Sequence, residues 1–128
     1  MSARYIILKA WSTLFINVYL PRISTTDWEN EYLDSLACIL NDISDVHYRN
    51  IVMGGDFNVD FASKHPLTDV LCNFMADLDL LNLDSKLTLG VNFSFRVDAS
   101  GSSSLIDHFL YQIHFMIQLT QCMLLTAV

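Results

Sequence analysis

Charge is scarce in this chain of 128 residues: only 16% are Asp, Glu, Lys or Arg, and the formal net charge is −7. So sparse and acidic a set argues against tight, unaided binding to a phosphate backbone, because that affinity is largely electrostatic. A divalent cation at a site would partly offset the deficit, since the ion is often the largest local charge. Low charge does not mean disorder here. Apolar residues make up 52% of the chain, enough to bury a core and fold. Cysteine is scarce as well. Cys38, Cys72 and Cys122 are an odd, widely spaced set with no CxxC, which suggests neither a zinc site nor a disulfide framework. A reducing, intracellular setting, nuclear or cytoplasmic, is the simpler reading. Arg4 and the apolar residues behind it imitate a signal peptide, but Lys9 breaks the run and no convincing small-x-small cleavage site follows.

The length suits one domain or a piece of one, and neither an internal repeat nor a domain boundary is visible. Residues 5–9 and 13–20 read as strands separated by "AWS", the second closed by Pro21. "STTDWENEYLDSLACILNDISD" then switches to helical spacing. Trp28, Tyr32, Leu36, Leu40 and Ile43 recur every three or four residues, with Leu33, Ala37 and Ile39 widening the stripe. Thr25, Thr26 or Asp27 can cap its start. "NIVMGG" reads as a short buried strand. Pro66 opens a second helix whose apolar face holds Leu67, Val70, Leu71, Phe74, Met75 and Leu78. "NLDSKLT" suits a strand, and "NFSFRV" and "SLIDHFLY" are alternating segments joined hairpin-fashion through "DASGSSS". Strand, strand, helix, strand, helix and three strands imply a layered α/β domain with a mixed sheet.

The end of the chain differs in kind. From Phe109 to Val128 there is no Asp, Glu, Lys or Arg, yet Gln112, His114, Gln118 and Gln121 interrupt the run. Four such polar residues make a poor transmembrane helix. A buried strand, or a sequence that has lost its original reading, fits better, and no membrane partner is expected.

Chemistry concentrates in "GGDFN". If the strand continues through it, Asp56 and Asn58 project to one side while Phe57 turns to the core. In α/β sheets that strand exit is where ligands usually bind. A carboxylate there can hold Mg²⁺ or orient a water, and an amide can donate to a phosphate oxygen. Gly54 and Gly55 allow close backbone approach. The plainer alternative is a turn, for which Gly, Asp and Asn are common formers. Asp107 and His108 invite an acid–base dyad, but adjacent strand residues face opposite ways, so one serves a site and the other packs or faces solvent. Tyr19, near the end of its strand, could donate to a phosphate oxygen or be an ordinary β-rich aromatic. His47, His65 and His114 have no partners at metal-ligand spacing.

Taken in order, "INVYLP", "IVMGGDFNVDF" and "FSFRVDASGSSSLIDHFL" resemble the endonuclease/exonuclease/phosphatase superfamily, most closely the endonuclease domain of LINE-type non-LTR retrotransposons. The resemblance spans residues 5–111, so 1–111 is read as the central and C-terminal part of such a domain and 112–128 as a divergent apolar tail. It implies a partial DNase I-like α/β sandwich with a mixed, largely antiparallel sheet and two helices. By the same resemblance Asp56 matches the acid that positions or activates the attacking water and would be the metal ligand, for Mg²⁺ or Mn²⁺. Asn58 matches a donor to the scissile phosphate, Tyr19 a tyrosine touching that phosphate, and Asp107 the acid that orients a catalytic histidine. His108 matches a position usually held by an aromatic ring.

Two parts of the pattern are missing. An Asn and a metal-binding Glu are expected ahead of residue 1, and a Ser-Asp-His motif after "IDHFL"; "YQIHFMIQLTQCMLLTAV" does not supply it. The expectation is therefore a fragment of a metal-dependent phosphodiesterase acting on DNA in the intact family, weak or inactive alone. Two alternatives stay open: a phospholipid or inositol-phosphate branch of the superfamily, and an inert remnant or interaction module.

Overall fold

The computed structural model describes residues 4–22, 28–62, 64–82, 95–97, 102–104 and 106–112. The proposed helix caps Thr25, Thr26 and Asp27, most of "NLDSKLT" and residues 113–128 lie outside that set. The chain opens with β1 (Tyr5–Ala10) and β2 (Thr13–Tyr19), an antiparallel hairpin in which Ala10 faces Thr13. Its two turn residues, Trp11 and Ser12, both take positive φ, 49° and 69°. That mirror-image turn matches the twist of the strands it joins, although residues other than Asn and Gly adopt it at a cost. Along β2 the alternation is clean: Leu14, Ile16 and Val18 are buried, whereas Phe15, Asn17 and Tyr19 are exposed.

Helix α1 (Trp28–Ile43) carries the chain back to β3 (Asn50–Asp56), which pairs with β2 in parallel. A parallel pair needs such a crossover. Helix α2 (Pro66–Asp77) starts with Pro66, behind a His65 cap whose Nδ1 accepts from the Leu67 N–H at 3.1 Å. Then come β4 (Leu80–Asn82), β5 (Phe95–Val97), β6 (Ser102–Ser104) and β7 (Asp107–Gln112). The main sheet has five strands in the order β1-β2-β3-β7-β4, while β5 and β6 form a separate ribbon. Of its four pairings only β2–β3 is parallel. The architecture is thus a mixed, largely antiparallel sheet with two helices, an α/β fold.

Three details differ from the sequence reading. "SLIDHFLY" is not one strand: Ser102–Ser104 pairs with Phe95–Val97, and β7 begins only at Asp107. Gln112, placed in the tail by composition, is the last residue of β7. Its Oε1 accepts from the Ile51 N–H and its Nε2 donates to the Leu78 carbonyl, both at 3.0 Å. Leu33 and Ala37 stand outside the buried stripe of α1.

One face of the sheet holds the core. Leu14, Ile16, Val18, Ile51, Met53 and Leu110 join Tyr32, Leu36, Ile39 and Ile43 of α1 and Leu67, Leu71 and Phe74 of α2 in one buried cluster. Each such aliphatic side chain removed from water contributes about 1.5–3 kcal/mol.

Candidate functional site at the strand exits

Because β2 and β3 are parallel they end at the same edge of the sheet, and the antiparallel β7 begins there. The register is explicit: Tyr19 lies opposite Asp56, and Asp56 opposite Asp107. Residues directly paired across strands share a face, with Cβ atoms about 4.5–5.5 Å apart. Tyr19 and Asp107 are exposed and Asp56 is half-buried, whereas their neighbours Val18 and His108 are buried on the helix side. Three sequence-marked residues, distant along the chain, therefore form one row on the open face. The Tyr19 hydroxyl has no hydrogen-bond partner among the described residues.

The double glycine supports this exit. Gly55 has φ of +125°, and a Cβ there would sit 2.2 Å from the Val18 carbonyl oxygen, so no side chain fits. At Gly54 a Cβ would meet the Phe109 ring at 3.3 Å, a tight approach to a movable group.

Strand β3 stops at Asp56, so the alternation expected to carry Asn58 beside Asp56 does not apply. Asn58 takes φ of 50°, a left-handed conformation that Asn tolerates. Its backbone N–H donates to Asp56 Oδ1 at 3.0 Å, and its side-chain Nδ2 donates to the Leu20 carbonyl at 2.6 Å. The amide is buried and turned away from the row. Phe57 goes fully into the core, as the sequence suggested. Its N–H donates to the Ile106 carbonyl at 2.9 Å, and its own carbonyl accepts from the Tyr32 hydroxyl at 2.7 Å.

His108 is a packed residue. Its Nε2 lies 2.6 Å from the Val59 carbonyl oxygen, and since a carbonyl only accepts, that nitrogen carries the proton. Its ring contacts Phe57 and Phe61, with centroids 5.9 and 4.5 Å away. Asp107 faces the other way, so the adjacent pair forms no dyad.

Burial raises the Asp56 carboxyl above its ordinary range. The Asn58 N–H pulls it down, the Asp107 charge pushes it up, and Arg22 and His108 lower it. Burial, with a smaller push from Asp56, also holds the Tyr32 phenol far above its ordinary value. Arg22 and Tyr32 did not stand out in the sequence. A cation just beyond Pro21 was the available signal for Arg22; Tyr32 carried none beyond its place in the helix stripe.

Among the described residues no three His, Cys, Asp or Glu side chains converge. Asp56 and Asp107 are two carboxylates, one already accepting a backbone N–H. Mg²⁺ demands near-octahedral oxygen coordination, so this set by itself is too thin to hold an ion tightly.

No family model and no curated protein matches the chain. Solved structures do match, and they define a class: the chain has the fold of endonuclease/exonuclease/phosphatase proteins. A Bacteroides thetaiotaomicron protein of that family superposes with a TM-score of 0.57 at 23% identity, over 79% of this chain and 35% of its own. In particular, the endonuclease domain of TRAS1, a telomere-specific non-LTR retrotransposon, gives 0.61 at 15% identity, over 88% of this chain and 52% of that domain. The Neisseria 3′-phosphatase NExo, solved with a product DNA hairpin, gives 0.60 at 15%, over 87% and 52%. At these identities the likeness is one of fold, and the chain spans from about a third to half the length of these structures. No helix among the described residues is long and apolar enough to cross a membrane.

Proposed function

We propose that this chain carries the strand-exit portion of a phosphodiester-cleaving site of the retrotransposon-endonuclease kind, with DNA as substrate of the complete site. The observation that carries the reading is the single row Tyr19–Asp56–Asp107. Asp56 orients the attacking water as a general base, helped by a carboxyl already raised above the ordinary range. Tyr19 offers an exposed phenol to a phosphate oxygen. Asp107 presents a carboxylate able to orient a histidine that the described residues do not supply. Asp56 is also the chain's contribution to a divalent-cation site, Mg²⁺ or Mn²⁺, which needs further ligands to hold its ion.

Loss of members from a cooperating set commonly costs orders of magnitude in rate, so the chain alone should nick DNA little above background. Plasmid nicking with Mg²⁺, alongside Mn²⁺ titration, tests this. Weak Mn²⁺ binding lost in Asp56→Ala supports the reading. Robust nicking abolished by Asp56→Ala would show that the set is complete after all, and absence of both activities would leave an inert remnant. A second reading, an interaction module, is favoured by the exposed Ile6, Leu8, Phe15 and Phe109 on the open face. Apolar patches of that sort often mark contact surfaces.

A further inference from the structure

Asn58 has a local job that its place in the motif does not announce. Where β2 and β3 end, the Leu20 N–H still donates to the Asp56 carbonyl at 2.8 Å, as a parallel ladder requires. The next rung would join the Leu20 carbonyl to the backbone N–H of residue 58. That N–H is instead turned onto Asp56 Oδ1, because the chain swings into the left-handed region at Asn58. The vacated rung is filled by the Asn58 side chain, whose Nδ2 reaches the Leu20 carbonyl at 2.6 Å. One residue therefore continues the ladder with its side chain and grips the Asp56 carboxylate with its backbone.

We propose that Asn58 is a positioning residue. Its carboxamide, by replacing a backbone rung, keeps the β2 and β3 exits in register, so that Tyr19 and Asp56 hold their places in the row and Tyr19 is left as the ligand-facing donor. Only the part concerning Tyr19 rests on reading the row as a phosphate-ester site. Nδ2 is buried and committed, whereas the Tyr19 hydroxyl is exposed and has no partner among the described residues. One of the two Nδ2 N–H donors is held by the Leu20 carbonyl, and turning the whole amide toward a phosphate would leave that buried carbonyl unpaired.

Amide hydrogen exchange and phosphate titration by NMR separate the two parts. Asn58→Gly keeps both the left-handed backbone and the N–H to Asp56 and removes only the side-chain rung. It should speed exchange at Leu20 and Asp56 roughly five- to tenfold, the effect of one buried hydrogen bond. Asn58→Asp sets a carboxylate against the Leu20 carbonyl at neutral pH and should be looser still. Acidification should restore part of the protection, because a protonated carboxyl donates again. In the unaltered protein, thymidine 3′,5′-bisphosphate should shift the Tyr19 ring signals and leave the Asn58 side-chain NH₂ signals in place. Unchanged exchange in Asn58→Gly overturns the positioning role, and an Asn58 NH₂ signal that moves with the bisphosphate overturns the assignment of Tyr19 as the ligand-facing donor. If the bisphosphate moves nothing, the phosphate-ester reading fails while the exchange result still decides the role of Asn58.

Discussion

The two faces of one sheet are put to different uses here. On the side covered by α1 and α2, Leu14, Ile51, Met53 and Leu110 are almost wholly withdrawn from water. On the other side Ile6 and Leu8 are 69% and 62% exposed, and Phe15 and Phe109 remain open too. The sequence of β2 does not distinguish the two sides by polarity, since both Phe15 and Ile16 are apolar. What separates them is the strand's period of two and, among the described residues, the packing of α1 and α2 against one side. The open face ends in the carboxylate row. The helix-covered face carries the larger core, while the face of the row keeps a smaller buried pair of its own, Val52 and Tyr111.

Substitutions can sharpen that contrast. The largest effect should come from Leu110→Ala, which empties a site 0% exposed and should cost about 2–5 kcal/mol. Leu8→Ala on the open face should stay within about 0.5 kcal/mol. Urea unfolding of both measures the difference, and comparable losses would mean that the open face is also core.

Next in size are the glycines at the exit. Gly55→Ala must displace backbone at a residue with φ of +125° and should cost about 1–3 kcal/mol. Gly54→Ala needs only a small shift of the Phe109 ring and should cost less. Equal thermal shifts would argue that both glycines serve only flexibility.

The smallest effect concerns pH. A carboxyl raised by burial keeps its proton in the folded state longer than in the unfolded one. Stability is therefore lost as pH rises from the ordinary Asp value of 3.8 through the raised one. Asp56→Asn removes this penalty. The variant should be slightly more stable than the unaltered protein at neutral pH, and the gain should vanish under acid where Asp56 is itself neutral. A gain independent of pH would show that the carboxylate is not desolvated.

Much of the fold was legible in the sequence for physical reasons. Helical spacing marked Tyr32, Leu36 and Ile43, Pro66 marked the start of α2, and richness in β-forming residues marked β1 and β2. Side-by-side placement of Tyr19, Asp56 and Asp107 was not derivable from periodicity, because it depends on long-range strand order and register. The resemblance grouped these residues, and the register put them in a row. Local conformation hid the rest. Nothing in "DFN" announces that Asn58 turns left-handed, and nothing in "LYQI" announces that Gln112 will spend its amide on both sheet and helix. In each case a side chain stands in for a backbone partner, and only the folded geometry creates that opening.

The Gln112 side chain has a mechanical consequence. It clips the far end of β7 to Ile51 in the sheet and to Leu78 beyond α2. Asp107 lies at the opposite end of that six-residue strand, roughly 17 Å away at about 3.3 Å per residue. A clip at one end and the carboxylate row at the other make β7 a braced beam. The strand that presents Asp107 is thereby tied at its remote end both to the sheet and to the residue that follows α2.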